Sequence, residues 1–419
     1  MSPTFRSLHN RNYRLYASGA VVSNVGTWMQ RIAQDWLVLQ LTHNSGTALG
    51  ITTGLQFLPI LLLSPYAGLI ADRFPKRRLL QVTQTMLAVP ALLLGLLAVT
   101  GVAQTWQVFA LAFVFGIGSA FDAPTRQSFV SEIVGRDDLT NAVGLNSASF
   151  NVGRIVGPAL AGFMIAALGS GVQATGVAIL INAVSYLAVI YSLRLMDPDL
   201  LQTTVPVAKA KGAVRDGFRY VRASPDLMFV FIVAFFAGTF GMNFQMTSAL
   251  MATGVFHKGA GEYGILGTFM AIGSLAGALL AARRASARRL VLVLSTVSFA
   301  IAEIAAGLMP AYWMFAAWLP VMGICAITMM NALQTTVQMD VDSHLRGRIM
   351  ALYMMVLMGG TPVGAPVIGW VGETFGARWT LIVGGGATLI AVIAATAWVM
   401  RKQDIHMSEL SVHPVKIAA

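Results

Sequence analysis

Charge is scarce in this chain. Only 11% of its 419 residues are Asp, Glu, Lys or Arg, against about 25% in a soluble domain. A surface wetted on all sides cannot be built from so little charge. Cysteine is scarcer still. Cys325 is the single one, it lies inside an apolar run, and packing is its expected role. One cysteine excludes an intrachain disulfide and any cysteine-based metal site. The six histidines, His9, His43, His257, His344, His406 and His413, all fall in loops or tails, so no Ser/His/Asp set is evident. There is no GxxxxGK phosphate loop followed by Ser or Thr, and no HExxH pair. The expectation is a non-enzyme without a metal or a cofactor, unable to use ATP through such a loop.

What the chain does have is length in its apolar runs. It is 56% hydrophobic, with stretches such as Leu87–Leu97 and Trp106–Ala120. The apolar segments reach about 20 residues, the length of a membrane-spanning helix. Strands of a membrane barrel would be half as long and would alternate. The fold class expected is therefore an all-α, polytopic membrane protein. Met1 to Asn12 are polar and basic, and a full-length span follows without a small-residue cleavage site, so no cleavable signal peptide is expected.

Twelve spans are predicted, at 13–40, 46–70, 79–100, 106–128, 141–167, 173–193, 227–252, 262–282, 289–309, 312–337, 348–371 and 378–400. The net charge of +11 is not a nucleic-acid patch, because Lys and Arg fall in every second loop. That is the positive-inside pattern. It places both termini in the cytoplasm, in a cell (inner) membrane. The longest interior connection, 194–226, mixes charges of both signs and contains VRDGFRYVR, a short amphipathic surface helix by its pattern. It divides the chain into an N-terminal six-helix bundle (1–193), a cytoplasmic linker (194–226), a C-terminal six-helix bundle (227–402) and a disordered tail (403–419).

The halves repeat. A shift of 207 residues puts Trp106 on Trp313, Gly116 on Gly323, Gly153 on Gly360, Gly157 on Gly364 and Gly169 on Gly376. Two parallel six-helix repeats with a site near the midplane form a known transporter architecture. Within the fifth span, Ser149, Gly153, Gly157 and Ala161 recur every four residues. On a helix they make one smooth stripe, which lets a second helix approach closely. Pro158 cannot donate a backbone hydrogen bond, so the carbonyl of Arg154 loses its partner.

Two motifs resemble the major facilitator superfamily, and the likeness runs over essentially the whole length. GLIADRFPKRRLL, from Gly68 to Leu80, is similar to its loop between spans two and three, with Gly68, Asp72, Arg73, Arg77 and Arg78 on the key positions. Pro75 stands where many members have Gly. In the second half, AARRASARRL puts Arg283 where Asp72 would be. Gly144, Gly153, Gly157, Pro158 and Gly162 are spaced like the antiporter motif of span five, with Ala161 replacing one of its two final glycines. The resemblance implies two pseudo-symmetric six-helix bundles and export driven by inward proton flow. FDAPTRQSFVSEIVGRDDLTNAVGLN further resembles the branch of enterobactin-exporter-like and macrolide or multidrug efflux proteins.

Embedded charges need a partner or a role, since one at the bilayer centre costs roughly 2.5–3.5 kcal/mol. Asn24, Trp28, Arg31 and Asp35 share one face of span one. Arg31 and Asp35 can pair at i, i+4. In the resembled fold this face looks into the central cavity, which makes Asp35, with Arg31, the first candidate for proton coupling. A static ion pair is the equal alternative. Asp122 and Arg126 form a second i, i+4 pair on span four. The resemblance suggests that they complete a cytoplasmic latch with the Asp72–Arg77 loop, while an interfacial ion pair fits the same residues. Arg154 either joins these charges or reaches to the interface unpaired. Glu303 is a weaker proton-site candidate, because span nine is peripheral in the resembled fold.

Spans seven and ten offer amides instead, Asn243 and Gln245, then Asn331, Gln334 and Gln338, among methionines that include Met246. They line a substrate cavity or bond across helices, at about 0.6 kcal/mol each. The methionines suit either a tolerant site or core filling. The function expected is a secondary transporter that exports amphipathic or hydrophobic small molecules, drug- or siderophore-like, by proton antiport. Its partners are substrate, protons and the lipid bilayer, no nucleic acid, and it is expected to be a monomer. Two alternatives stay open: a facilitator or importer of a small solute or lipid without proton coupling, and a non-transporting membrane receptor or scaffold.

Overall fold

The computed structural model describes residues 3–202, 213–281, 289–341 and 345–403. The tail after Gln403, most of the 194–226 linker's middle and Arg283, Arg284 and Arg288 of the second basic run lie outside the described residues. Fifteen α-helices follow in order. α1 is Arg11–Leu41, α2 Gly46–Arg73, α3 Lys76–Val99, α4 Thr105–Ile133, α5 Arg136–Ala167 and α6 Val172–Leu195. α7 is Ala213–Ala223, α8 Pro225–Phe236, α9 Phe244–Leu250, α10 Ala260–Ala281 and α11 Arg289–Gly307. α12 is Tyr312–Asp340, α13 Arg346–Gly359, α14 Thr361–Phe375 and α15 Ala377–Gln403.

Their starts follow local chemistry. The Asn10 side chain accepts the Tyr13 amide at 3.1 Å and opens α1. Ser45 does the same for α2 through the Ala48 amide, also at 3.1 Å. Such caps satisfy amides that have no partner in the helix. Ser224 and Pro225 start α8 in the same manner.

Among the described residues, eleven helical segments are long and apolar enough to cross a membrane, so this is a multi-pass membrane protein. α1 is the expected span that does not qualify by composition. Its 31 residues suffice for length, but it buries Ser23, Gln30, Gln34 and Asp35. Gln30, Gln34 and Asp35 are bonded to other helices, as in the 2.5 Å bond from Asn182 Nδ2 to Gln30 Oε1 and the 3.3 Å bond from Gln34 Nε2 to Gln56 Oε1.

Two spans expected as continuous helices are broken. In span seven, α8 passes into a π turn over Ala237–Gly241, then α9, then a second π turn over Met251–Val255. Span eleven is α13 and α14, parted at Gly360, where Pro362 lies in the first turn of α14. α7 coincides with the surface helix expected within the linker. Its Val221 is buried, while Phe218, Arg219 and Arg222 are exposed.

The chain divides into two compact units, one of residues 1–208 with 257–268, the other of 209–256 with 269–419. In the first, α1 packs on α5 and α6, α2 on α4, and α3 on α4 and α6. In the second, α11 packs on α12 and α15, and the first π turn packs on α13, α14 and α15.

The 207-residue repeat survives as geometry. A Cβ on Gly116 would strike the Gln56 carbonyl on α2, and one on Gly323 the Met270 carbonyl on α10. Gly169 and Gly376, both past the end of a span, adopt φ of 95° and 101°. That left-handed region favours glycine because it has no Cβ.

Candidate functional site

In the first unit the small-residue stripe of α5 packs against α1. A Cβ on Gly153 would lie 2.8 Å from the Asn24 carbonyl carbon. One on Gly157 would lie 2.6 Å from the Trp28 Cβ. The stripe continues along the start of α10, where Gly162 faces the backbone of Ala260 and Gly264 faces the Pro158 carbonyl. Gly267 takes the Pro158 ring, with its would-be Cβ 2.9 Å from the Pro158 Cβ. Thr268 Oγ1 donates 2.7 Å to the Ile155 carbonyl, inside the turn that Pro158 weakens. Gly144 has nothing within 4 Å of a would-be Cβ. It shares the motif spacing but not the seam.

The polar face of α1 gathers here. Asn24 Nδ2 donates to Ser149 Oγ at 2.9 Å. Trp28 meets the Phe150 ring edge-on at 5.7 Å. The Asp35 charge acts on Arg31, as expected of an i, i+4 pair, and each of the two also takes a partner of its own. The Arg31 guanidinium lies 4.8 Å over the Trp28 ring. Asp35, 7% exposed, accepts a hydrogen bond from Tyr263 Oη at 2.8 Å. The Tyr263 ring stacks on Trp36, 6.4 Å between centroids and 23° between planes. The result is a buried carboxylate held by a phenol, close to a guanidinium laid on an aromatic face.

Tyr263, Gly264, Gly267 and Thr268 escaped the sequence reading. Their signal was the three-residue spacing of Gly261, Gly264 and Gly267. Also unforeseen is a cavity of about 410 Å³ between α1 and α5, lined by Tyr13, Arg14, Ser18, Val21, Asn146 and Ser149 among others. Its volume falls in the range of small-molecule sites. Ser149 links its wall to Asn24.

The expected latch residues are placed differently from one another. Asp122 is buried and accepts from Thr83 Oγ1 at 2.8 Å, Gln84 Nε2 at 2.7 Å and Arg126 Nε at 3.2 Å. Arg77 does not join this cluster. It donates to the Leu193 and Arg194 carbonyls at 2.7 and 3.0 Å, closing the end of α6. Asp72, Arg73 and Arg78 are exposed and Gly68 half-buried. The motif's most buried charge is Lys76, which pairs with Glu132. Arg154 enters none of the described ion pairs, and its buried Nε has no hydrogen-bond partner.

In the second unit two of the expected cavity residues, Asn243 and Met246, are buried. Asn243 Nδ2 donates to the Thr239 and Phe240 carbonyls at 2.9 and 3.2 Å. It braces the break in span seven, and those amide protons are already engaged. Met246 is 2% exposed and belongs to the core. Gln245, Asn331 and Gln334 are half-buried. No group of three or more His, Cys, Asp or Glu that would hold a metal exists among the described residues.

Known proteins match this architecture along nearly its full length. The profile of a family described as transmembrane secretion effectors matches residues 2–418. The staphyloferrin A transporter of Staphylococcus aureus (strain NCTC 8325 / PS 47) is 26% identical over 94% of this chain and 98% of its own. The multidrug efflux pump Tap of Mycolicibacterium fortuitum is 27% identical over 92% and 95%. Among solved structures, a bacterial homologue of the human lysosomal transporter Spinster, inward-facing and unoccupied, superposes with a TM-score of 0.70 at 16% identity, covering 94% of this chain and 97% of that one. A bacterial homologue of the iron transporter ferroportin, inward-facing, gives 0.71 at 14% identity, covering 93% and 98%.

Proposed function

Because the chain belongs to the transmembrane secretion effector family of major facilitator transporters, we propose that it exports amphipathic or hydrophobic small molecules in exchange for protons. The observation that carries this reading is Asp35, a carboxylate buried on α1 and tied to Tyr263 Oη at 2.8 Å. A buried carboxylate can exist charged or neutral, and the neutral form needs no counter-ion. Protonation would weaken the Tyr263 tie, since hydrogen bonds to charged groups are the stronger ones. A proton at Asp35 would thereby loosen α1 from the start of α10, beside the glycine seam of α5. Arg31 on the Trp28 face and the cavity beside Ser149 suit a ligand with aromatic or apolar surface.

The remaining parts of the reading follow from the same premise. Twelve spans form two six-helix bundles, 1–193 and 227–402, in a cell membrane with both termini inside. Asn24, Trp28, Gln245, Asn331 and Gln334 face substrate. Asp72 and the Asp122–Arg126 pair latch the cytoplasmic side. The drug-like and siderophore-like substrates of the named relatives set the range to be tried. Each proton contributes about 2.3 kcal/mol per 100 mV and about 1.4 kcal/mol per pH unit.

The experiment is reconstitution into vesicles with an imposed pH gradient and a panel of labelled lipophilic cations, macrolides and ferric chelators. Gradient-dependent transport of at least one compound, lost in Asp35→Asn, is expected. Transport indifferent to the gradient for every compound refutes proton antiport. One observation favours a second reading, an uncoupled facilitator: the Asp35–Tyr263 bond also serves as a static tie. In that case Asp35→Asn leaves transport intact.

A further inference from the structure

The second unit holds a carboxylate, Glu303, that none of the described residues hydrogen-bonds. Glu303 on α11 is 0% exposed, and neither of its oxygens has a hydrogen-bond partner. Two glycines make room for it. A Cβ on Gly241, at the end of the first π turn, would lie 3.1 Å from Glu303 Oε2, and equally close to Thr388 Oγ1 and the Phe299 ring. A Cβ on Gly384 of α15 would lie 2.8 Å from Oε1 and 2.7 Å from the Phe240 carbonyl oxygen. The acid group is thus seated between span seven, span nine and span twelve.

The nearby donors are engaged elsewhere. Thr388 Oγ1 donates to the Gly384 carbonyl at 3.0 Å. Asn243 donates to the Thr239 and Phe240 carbonyls. The titratable groups on the elements packed around α11 are equally occupied or distant. On α15, Arg378 donates to the Gly307 and Met309 carbonyls, and Lys402 lies over Trp398, with Arg401 exposed beside it. On α12 the described ones are Tyr312 and Cys325. At the other end of α11, Arg289 pairs with Asp226 of α8. None bonds to Glu303 among the described residues, and α9 and the π turns carry no titratable side chain.

An isolated carboxylate in such surroundings neutralises instead of remaining charged. A neutral acid has a proton to donate, and the Phe240 carbonyl flanks the same point on α15 as its Oε1. That carbonyl belongs to the break in span seven, where π turns and two non-helical residues, Met242 and Asn243, interrupt the regular ladder. Such bulges concentrate at functional sites, and broken spans mark ion sites in transporters.

We propose that Glu303 is a proton-binding site of the second unit, which holds its proton while the break in span seven is closed over it and exchanges it when that break rearranges. The balance is simple: a carboxylic acid releases one proton to water and becomes a carboxylate, with no other reactant. The role in transport rests on the proton-antiport reading above, whereas the proton site itself is testable without transport.

The test is infrared spectroscopy of the full chain in phosphatidylethanolamine and phosphatidylglycerol vesicles, titrated from about pH 6 to about pH 10, a range that covers documented buried Glu groups. A protonated-carboxyl band is expected in the wild type and in Asp35→Asn, lost in Glu303→Gln, shifted in Glu303→Asp and bleached as the pH rises. A Glu303→Gln spectrum identical to wild type overturns the proposal. So does a Glu303 band that persists unbleached across the range, which would mark an acid whose proton never leaves. If Glu303→Gln fails to fold, Glu303→Asp decides, since an unshifted band refutes the assignment in the same way. Failure of proton antiport in the flux assay would leave these spectra unchanged, so the two readings fall separately.

Discussion

Replacing Gly157 by alanine probes the α1–α5 seam at its tightest point. The added methyl would sit 2.6 Å from the Trp28 Cβ, 2.8 Å from the Val25 carbonyl oxygen and 3.1 Å from the Met29 amide nitrogen. Two of those three atoms are backbone, so no rotamer change relieves the overlap. α1 and α5 must part by roughly half to one ångström to restore ordinary carbon contacts. Overpacking of this kind costs about 1–3 kcal/mol. Gly144→Ala is the matched control, because nothing lies within 4 Å of its new methyl and the exposed helical site gains up to about 1 kcal/mol in propensity. The assay is thermal unfolding of the detergent-solubilised chain, followed by pH-driven flux in vesicles. Gly157→Ala is expected to unfold at lower temperature and to transport poorly. Equal stability and flux for Gly157→Ala and wild type, or equal damage from Gly144→Ala, would refute the packing argument.

Four further comparisons separate structural from functional roles. Tyr263→Phe removes a hydrogen bond to a carboxylate, worth about 1.5–3 kcal/mol. If that bond acts through Asp35, the double variant with Asp35→Asn should lose no more flux than Asp35→Asn alone, a non-additivity that a flux cycle measures. Asp122→Ala strands Thr83, Gln84 and Arg126 and should lower stability by about 3–5 kcal/mol, whereas Asp72→Asn at the exposed end of α2 should cost no more than about 1 kcal/mol. Lys76→Met alone should be strongly destabilising, while Lys76→Met with Glu132→Leu should recover most of the loss in the same melt, because the buried charge is then gone from both sides. Asn243→Ala should destabilise the chain without weakening ligand binding, measured by equilibrium dialysis, and Asn331→Ala should do the reverse.

The sequence made the spans legible through their hydropathy, because burial in lipid demands apolar residues at every outward position. It was less informative wherever a helix is satisfied by protein. α1 shows why. Its Gln30, Gln34 and Asp35 lower the hydropathy of the span, and only the distant partners Asn182, Gln56 and Tyr263 make them tolerable. Those partners are separated from α1 by up to 228 residues, which no local pattern encodes. The glycine stripe on α5 was readable because spacing by four is a local property. That Gly153 and Gly157 meet α1, and that Gly162 meets α10, was not. The π turns of span seven left only a weak trace, Gly238, Gly241 and Asn243 close together, and the bonds of Asn243 to the Thr239 and Phe240 carbonyls could not be read from it.

The two halves repeat their backbone contacts but not their chemistry. Gly153 and Gly157 on α5 accommodate Asn24 and Trp28 on span one, and their counterparts Gly360 and Gly364 in span eleven accommodate Thr239 on span seven. At the first seam the facing span is a continuous helix whose polar groups are bonded, Asn24 to Ser149 and Asp35 to Tyr263. At the second it is broken, and Thr239 Oγ1 is buried without a partner among the described residues, as is the carboxyl of Glu303 on α11 beside the same break. Unmet polar groups cost stability unless something supplies the missing bond. On the helix that faces the glycines, the unmet bonds therefore lie at the broken span seven of the second half. Because the π turn interrupts the regular ladder of span seven, hydrogen exchange across Ala237–Gly241 should be faster than across the intact turn of α1 that faces Gly153 and Gly157.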